Sequence, residues 1–325
     1  MYDLLMSSDM MVHDPDSLAE TLISKLGIYG HPRWRQAFPN HTYIAHFLRA
    51  HKWRAIAPTL IEPQGHLDKP NVGDPFFPEF LKSLEDFQGK HRPMKTHATV
   101  LIMENIGELV ERLERRKVPF RIAASTPEMT WERLWIGATP ENAKYNPSYD
   151  GGLCIEVTPT WPLQLPPETF HVPPPELEDP KPGEMIRVVA RGFLVRDIDD
   201  VARQLAQNLA LEPTGQVVDV PGEGYKRLRY GFKLSQSATL DLIQATRWNS
   251  ESGTYLHSWG PGPYYTRIAV HDLAAKAEDL RERGTKFTLH RECDAVGGRP
   301  LLRVDMDELQ GHLFEFVEYE GPSAG

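Results

Sequence analysis

The chain has 325 residues, 40% hydrophobic and 25% charged, with a formal net charge of −9. That length allows two cores, and an acidic balance with no basic stripe argues against nucleic acid or an anionic membrane as partner. No apolar run is long enough to span a membrane, and the amino-terminal MYDLLMSSDMMVHDPD lacks the basic start and cleavage site of a signal peptide. The two cysteines, Cys154 and Cys293, suit a reducing compartment. A cytoplasmic protein, monomer or homodimer, with a small-molecule partner is the expectation.

Leu4 to Ile28 reads as a strand, a turn at His13-Asp14-Pro15-Asp16 and a helix with Leu18, Leu22 and Leu26 inward and Gly27 as its stop. Strands follow at Thr42 to Leu48 and Arg54 to Glu62, closed by Pro63. A partly aromatic connection, DPFFPEFLKSLEDFQGKHRP, with a short helix, leads to a second copy. Thr96 to Val118 is strand and helix, and Arg133 to Gly137 with Gly152 to Val157 are the later strands. Nine prolines fall between Pro159 and Pro182, the composition of an extended surface linker. A third copy begins at Ile186, with later strands at Leu228 to Leu234 and Ala238 to Gln244. The fourth takes its strand and helix from Tyr264 to Gly284, with Leu273, Ala277 and Leu280 inward, and its closing hairpin from Arg299 to Glu320. Between them, the Gly-rich WGPGPYY, Trp259 to Tyr265, reads as a bend at a cup's mouth.

The runs ARGFLVRDIDDVARQLAQNLALEP, TLIEPQG followed by THATVLIMENIGELVERLERRKVPF, and RVDMDELQGHLFEFVE resemble the vicinal oxygen chelate superfamily. That group includes glyoxalases, methylmalonyl-CoA epimerases, antibiotic-resistance proteins and extradiol dioxygenases. The resemblance implies an α+β fold of four βαβββ modules, paired into two cup-shaped mixed sheets with helices outside. Residues 1–158 and 186–320 would be the two domains, joined by a proline-rich linker, 159–185. It further implies ligand or site positions on each module's first strand, at Ser7, His97, Ala190 and Tyr265, and on its last, at Thr59, Glu156, Asp241 and Glu315. Placing His97 there takes one extra residue in the turn Met103-Glu104-Asn105 and sets Ala98, Val100 and Ile102 toward the helix.

The second cup lacks the two histidines that an extradiol dioxygenase pairs with its glutamate for iron. Arg267 points the same way as Tyr265, and its pairing with Asp241 or Glu315 would satisfy those charges without metal. In the first cup, strand alternation aims Asp9, Thr99 and Cys154 into the space of Ser7, His97 and Glu156. His97 and Glu156 would hold a divalent metal, Mn, Fe or Zn, completed by Asp9, His46 or water; a metal-free polar pocket is the equal alternative. Cys154 is a candidate ligand whose commoner role is a small buried hydrophobe. Trp34, Trp53, Trp131 and Trp135 would line an apolar pocket or fill the core.

The activity expected is isomerase, epimerase or lyase chemistry on a carbonyl-containing or phenolic molecule. His97 and Glu156 polarise its oxygen through the metal, and Asp9 or Glu156 moves the proton. Ser7, Thr59, Thr99, Cys154, Tyr265, Arg267, Asp241 and Glu315 are the candidate substrate contacts. Extradiol-like ring cleavage and metal-free sequestration of an apolar ligand are the alternatives.

Overall fold

The computed structural model describes residues 2–12, 14–37, 43–51, 59–66, 95–123, 133–138, 145–159 and 183–320. For Asp9, Tyr43, His66, 95–98 and Ala123 it describes the backbone alone. The expected connection before Thr96, Trp53, Trp131 and most of the proline-rich linker lie outside the described residues.

The first half contributes β1 (Leu4–Met11), α1 (Pro15–Leu26), β2 (Arg35–Ala37), β3 (Tyr43–His46), β4 (Leu48–Arg49), β5 (Leu60–Ile61), β6 (Pro63–His66), β7 (Lys95–Met103), α2 (Gly107–Arg116), β8 (Phe120–Ala123), β9 (Arg133–Ile136) and β10 (Ile155–Pro159). The second contributes β11 (Met185–Leu194), α3 (Ile198–Gln204), β12 (Val218–Val220), β13 (Tyr225–Tyr230), β14 (Thr239–Ala245), α4 (Glu251–Trp259), β15 (Gly262–Val270), α5 (Leu273–Glu282), β16 (Phe287–Cys293), β17 (Arg299–Val304) and β18 (Leu313–Glu318).

Two eight-stranded sheets result, ordered β2-β3-β6-β1-β7-β10-β9-β8 and β12-β13-β14-β11-β15-β18-β17-β16. The two orders are one pattern used twice. Each sheet has two modules' first strands antiparallel at its centre, β1 with β7 and β11 with β15. Each first strand then pairs in parallel with its own module's last strand. A parallel pair cannot be closed by a tight turn, so every module carries its helix between its first strand and the rest. The fold is α+β, four βαβββ modules in two curled mixed sheets.

Local chemistry sets the helix starts. Asp14, Asp197 and Asp272 each cap a helix by accepting backbone N–H groups, of Ser17, of Asp199 and Asp200, and of Ala275. The second module breaks the pattern: α2 follows Ile106, and Asn105 Oδ1 accepts from Gly107 N–H at 2.8 Å instead. α1 ends on Gly27, whose φ of 71° suits a residue without Cβ. Leu18, Leu22 and Leu26 are fully buried on its inner face, each worth about 1.5–3 kcal/mol of apolar burial.

Three expectations are corrected. Pro63 opens β6 rather than closing a strand, a position that needs no N–H from proline. Trp259 ends α4, and the following Gly262 already belongs to β15, so WGPGPYY joins a helix to a strand. On β7 the facing is reversed: Leu101 and Met103 join the helix-side core, whereas Val100 and Ile102 pack with Leu4, Trp135 and Cys154 on the other face.

The halves are tied at helix C-termini, where orphan carbonyls need donors. Lys276 of α5 reaches Leu26 O at 2.7 Å, Thr285 Oγ1 reaches Lys25 O at 2.8 Å, and Arg283 Nη1 reaches Ser24 O at 3.1 Å. On the other pair of modules, Arg112 of α2 donates to Ala206 O and Gln207 O at 2.9 Å. Cations placed at carbonyl ends also offset the helix dipole. Among the described residues no helix is long and apolar enough to cross a membrane. Lys276→Met removes the buried donor from Leu26, and urea denaturation should show a loss of about 1–3 kcal/mol. An unchanged midpoint would show that this cap does not hold α1.

Candidate functional site

The second cup is closed by ion pairs. Glu315, fully buried on β18, accepts from Arg267 of β15 at 2.9 and 2.6 Å and from Arg303 of β17 at 3.0 and 2.7 Å. Register produces this: Arg267 and Arg303 are the Cα partners of Glu315 on the two flanking strands. Asp241, also fully buried, takes a two-point contact from Arg229 at 2.8 Å and the Tyr265 hydroxyl at 2.7 Å. Burial alone would raise both carboxyls, and the adjoining guanidiniums outweigh it and hold both below the usual carboxylate range. Burial, and then the charge of Asp241, push the Tyr265 hydroxyl well up, so it stays a proton donor.

Tyr265, Arg267, Asp241 and Glu315 therefore do come together, as the residue pattern suggested for Arg267. The partners missed from sequence are Arg229 and Arg303. Their signal was alternation: Arg227 and Arg229 share one face of β13, and Arg303 sits two residues from Leu301 on β17. Helix α4 and the segment 294–296 fill the space further, with Tyr255, Tyr264, Ala295 and Val296 in one apolar cluster. With both carboxylates spent on arginines, this donor set does not fit a metal.

The first cup has the same framework and different contents. Pairing registers give one row across it: Ser7 on β1, Val100 on β7, Glu156 on β10, Trp135 on β9 and Arg121 on β8. Glu156 is the counterpart of Glu315, being on the last strand of the sheet's second module. Its lateral neighbours are Val100 and Trp135, where Glu315 has Arg267 and Arg303. Glu156 is 6% exposed, and Thr158 Oγ1 lies 3.5 Å from its Oε1.

The other candidates scatter. Thr99 pairs with Ile155 in the row of the helix-side core, one residue out of step with Glu156. Cys154 is buried on the cup side at φ 51°, and its N–H donates to the Tyr145 hydroxyl at 3.0 Å. Tyr145 in turn donates to buried Asp150, whose carboxyl burial raises to about 6 against the pull of three donors. Thr59 is buried just before β5, which pairs with β4 outside the large sheet. His46 binds Asp16 at 2.6 Å, an ion-pair site it shares with Arg35. Asp9 lies at a register shift of β1, placed by backbone alone. Val100 occupies the counterpart of Arg267, so two residues back Ala98, and not His97, stands at the counterpart of Tyr265. His97 is thus one residue from its aligned position. Among the described residues no three His, Cys, Asp or Glu side chains converge on a metal-binding point.

Over its whole length the chain is similar to a triple mutant of 4-hydroxymandelate synthase from Streptomyces coelicolor: TM-score 0.63 at 12% identity, covering 100% of this chain and 95% of that one. The chain has the vicinal oxygen chelate fold. Shorter similarities are to methylmalonyl-CoA epimerase from Mycobacterium tuberculosis, with TM-score 0.36, 21% identity, 40% of this chain and 86% of that one. A hypothetical protein from Bacillus halodurans C-125 gives TM-score 0.38, 18% identity, 43% and 98%. No model of a known family and no curated protein matches the chain. Vicinal oxygen chelate folds host unrelated chemistries, so the reaction has to be read from the side chains.

Glu315→Gln leaves two guanidiniums facing a neutral amide, and urea denaturation should show a loss of about 3–5 kcal/mol. Replacing Arg267, Arg303 and Glu315 together by Met, Met and Leu should recover much of it. Because the folded state lowers the Glu315 and Asp241 carboxyls, their contribution is full above about pH 5 and lost progressively as pH falls through the ordinary carboxylate range to the lowered values. Glu315→Gln should flatten that acid limb.

Proposed function

We propose that the chain is an enzyme acting on a small carbonyl-containing or phenolic molecule bound in the first cup, with Glu156 as the proton-transfer group. Residues 1–158 and 186–320 form its two domains, and the second, with its ion pairs closed, serves as the scaffold. One observation carries the reading. Two sheets of the same design place a buried carboxylate at the same position, and only in the first do Val100 and Trp135 replace the arginines beside it.

A carboxylate on an apolar wall can take a proton from a carbon next to a carbonyl. The C–H bond breaks, its electron pair moves onto the carbonyl oxygen as an enolate, and Glu156 holds the proton. Return to the other face of the same carbon is epimerisation, and return to a neighbouring carbon is isomerisation. Loss of a leaving group from the enolate is the lyase outcome. Ser7 and Thr158 share the sheet face of Glu156 and are the hydroxyls proposed to donate to the developing oxyanion. The indole of Trp135 supplies a flat apolar wall.

A divalent cation would use Glu156 and would polarise the substrate oxygen, but His97 stands one residue out of step with the row of Glu156 on β7. The described donors do not complete such a site, so no step passes through one. Elemental analysis of protein purified without chelator should find no stoichiometric Mn, Fe or Zn. About one equivalent that disappears in both Glu156→Gln and His97→Ala would add a Lewis acid to the reading.

The activity test is deuterium exchange in D2O, followed by NMR, across a panel of small ketones, keto acids and phenols. Wild type should exchange the α-proton of at least one of them. Glu156→Gln should slow that exchange by roughly 10²-fold or more with its unfolding midpoint retained. Tight binding of panel members with no exchange in wild type would point instead to a sequestering protein.

A further inference from the structure

Asp150 is fully buried, as Glu315 and Asp241 are. Those two are held by guanidiniums, whereas every hydrogen bond to the Asp150 carboxyl among the described residues comes from a neutral donor. Its Oδ1 accepts from the Tyr145 hydroxyl and from Gly152 N–H at 3.1 Å, and its Oδ2 from Ile155 N–H at 2.8 Å. The Tyr145 hydroxyl in turn accepts from Cys154 N–H at 3.0 Å. One carboxyl thus gathers the segment 145–155 and the entry to β10, one residue before Glu156.

Within the segment, the titratable groups beside Asp150 are Tyr145 and Cys154, and burial pushes the Tyr145 hydroxyl well up, so it stays a donor. Tyr145 packs on the apolar cluster of Leu4, Val100, Ile102 and Trp135. From β7, Thr99 N–H donates to Cys154 O at 3.0 Å. From the second half, Gln204 of α3 accepts from Gly151 N–H at 2.9 Å, and Asn208, just past α3, donates to Tyr149 O at 2.8 Å. The charged groups on that side are Asp200, bound to Gln204, and Arg116 of α2, bound to Asn208.

Neutral donors offset only part of the cost of burying a carboxylate, and burial outweighs them in raising the carboxyl to about 6. The sign follows by linkage. A carboxyl raised by packing binds its proton more tightly when packed, so protonation favours the packed form and ionisation favours any form that exposes the group. Few bonds oppose exposure: those to Gln204 and Asn208, and Asn146 N–H to Gly137 O at 2.8 Å. The backbone bends at Gly151 and Gly152, with φ of 72° and 82°. A segment so lightly tied opens locally before the chain unfolds.

We infer that the segment 145–155 is a pH-operated strap at the first cup, packed while Asp150 is protonated and eased toward release when Asp150 ionises. Release frees the entry to β10 and uncovers the cluster that contains Val100 and Trp135. Its bearing on catalysis rests on the proton-transfer reading of Glu156, whereas the strap itself does not.

The test is amide hydrogen exchange resolved by residue, on the full chain from pH 5 to pH 7.5, with the intrinsic pH dependence removed. An ordinary carboxyl at 3.8 in the open form and about 6 in the packed one make opening about tenfold easier at pH 7.5 than at pH 5. Wild type should lose protection by that factor at Gly152 and Ile155, and both should be less protected throughout than Ile268 in buried β15. Asp150→Asn should remove the pH dependence. Tyr145→Phe, which takes away a donor to the ionised form, should move the change to higher pH and serves if the first variant does not fold. A flat wild-type profile, an unchanged dependence in Asp150→Asn or an unmoved one in Tyr145→Phe would overturn the inference. So would protection equal to that of Ile268, because Asp150 would then be exposed only by global unfolding. Glu156→Gln should keep the wild-type profile, so the strap and the role of Glu156 stand or fall separately.

Discussion

The second half depends on a carboxylate that cannot be left alone. Glu315 sits in a strand among Leu313, Phe314, Phe316 and Val317, all buried and apolar. Removing a carboxylate from water costs several kcal/mol unless cations and donors replace the solvent, and two guanidiniums on the flanking strands do so. That requirement ties β15, β17 and β18 to one register, because a slip of one residue would move Arg267 and Arg303 to the opposite face. The same interaction closes the cup. Both carboxylates of the second cup are thereby held by guanidiniums.

The first half shows what the framework does once that constraint is lifted. Strand order, parallel and antiparallel pairings and the position of the glutamate are all repeated. The neighbours of the carboxylate differ, Val100 and Trp135 in place of two arginines. Ser7 and Thr158 share its sheet face, and Arg121 stands two strands away on the edge strand.

The halves are not independent. Carbonyl ends of α1, and of the helical segment that extends α3, are satisfied by cations and a hydroxyl from the other half. One apolar cluster runs from Leu18, Leu22 and Leu26 of α1 to Leu273, Ala277 and Leu280 of α5. A quiet second half thereby still contributes to holding the helices behind the first cup, and with them the strands that present Ser7 and Glu156.

Much of this was legible from residues alone. Hydrophobic spacing, turn residues and helix stops such as Gly27 are local signals, set by a few consecutive residues, and they disclosed four repeated units. Arg267 beside a carboxylate followed from alternation along single strands. The facing of β7 did not, because placing His97 took one extra residue in the turn Met103-Glu104-Asn105, and one residue of error there exchanges the two faces of the sheet. Alternation places Arg229 and Arg303 on one face of their strands, but neither their pairing with Asp241 and Glu315 nor the row from Glu156 through Trp135 to Arg121 could be read from it. Those neighbours are chosen by strand pairing between segments well apart in the chain, and register is a property of the assembled sheet. By itself the sequence determined the modules and the carboxylates at their ends. Which of those carboxylates lies between two arginines and which between Val100 and Trp135 was decided only when the strands came together.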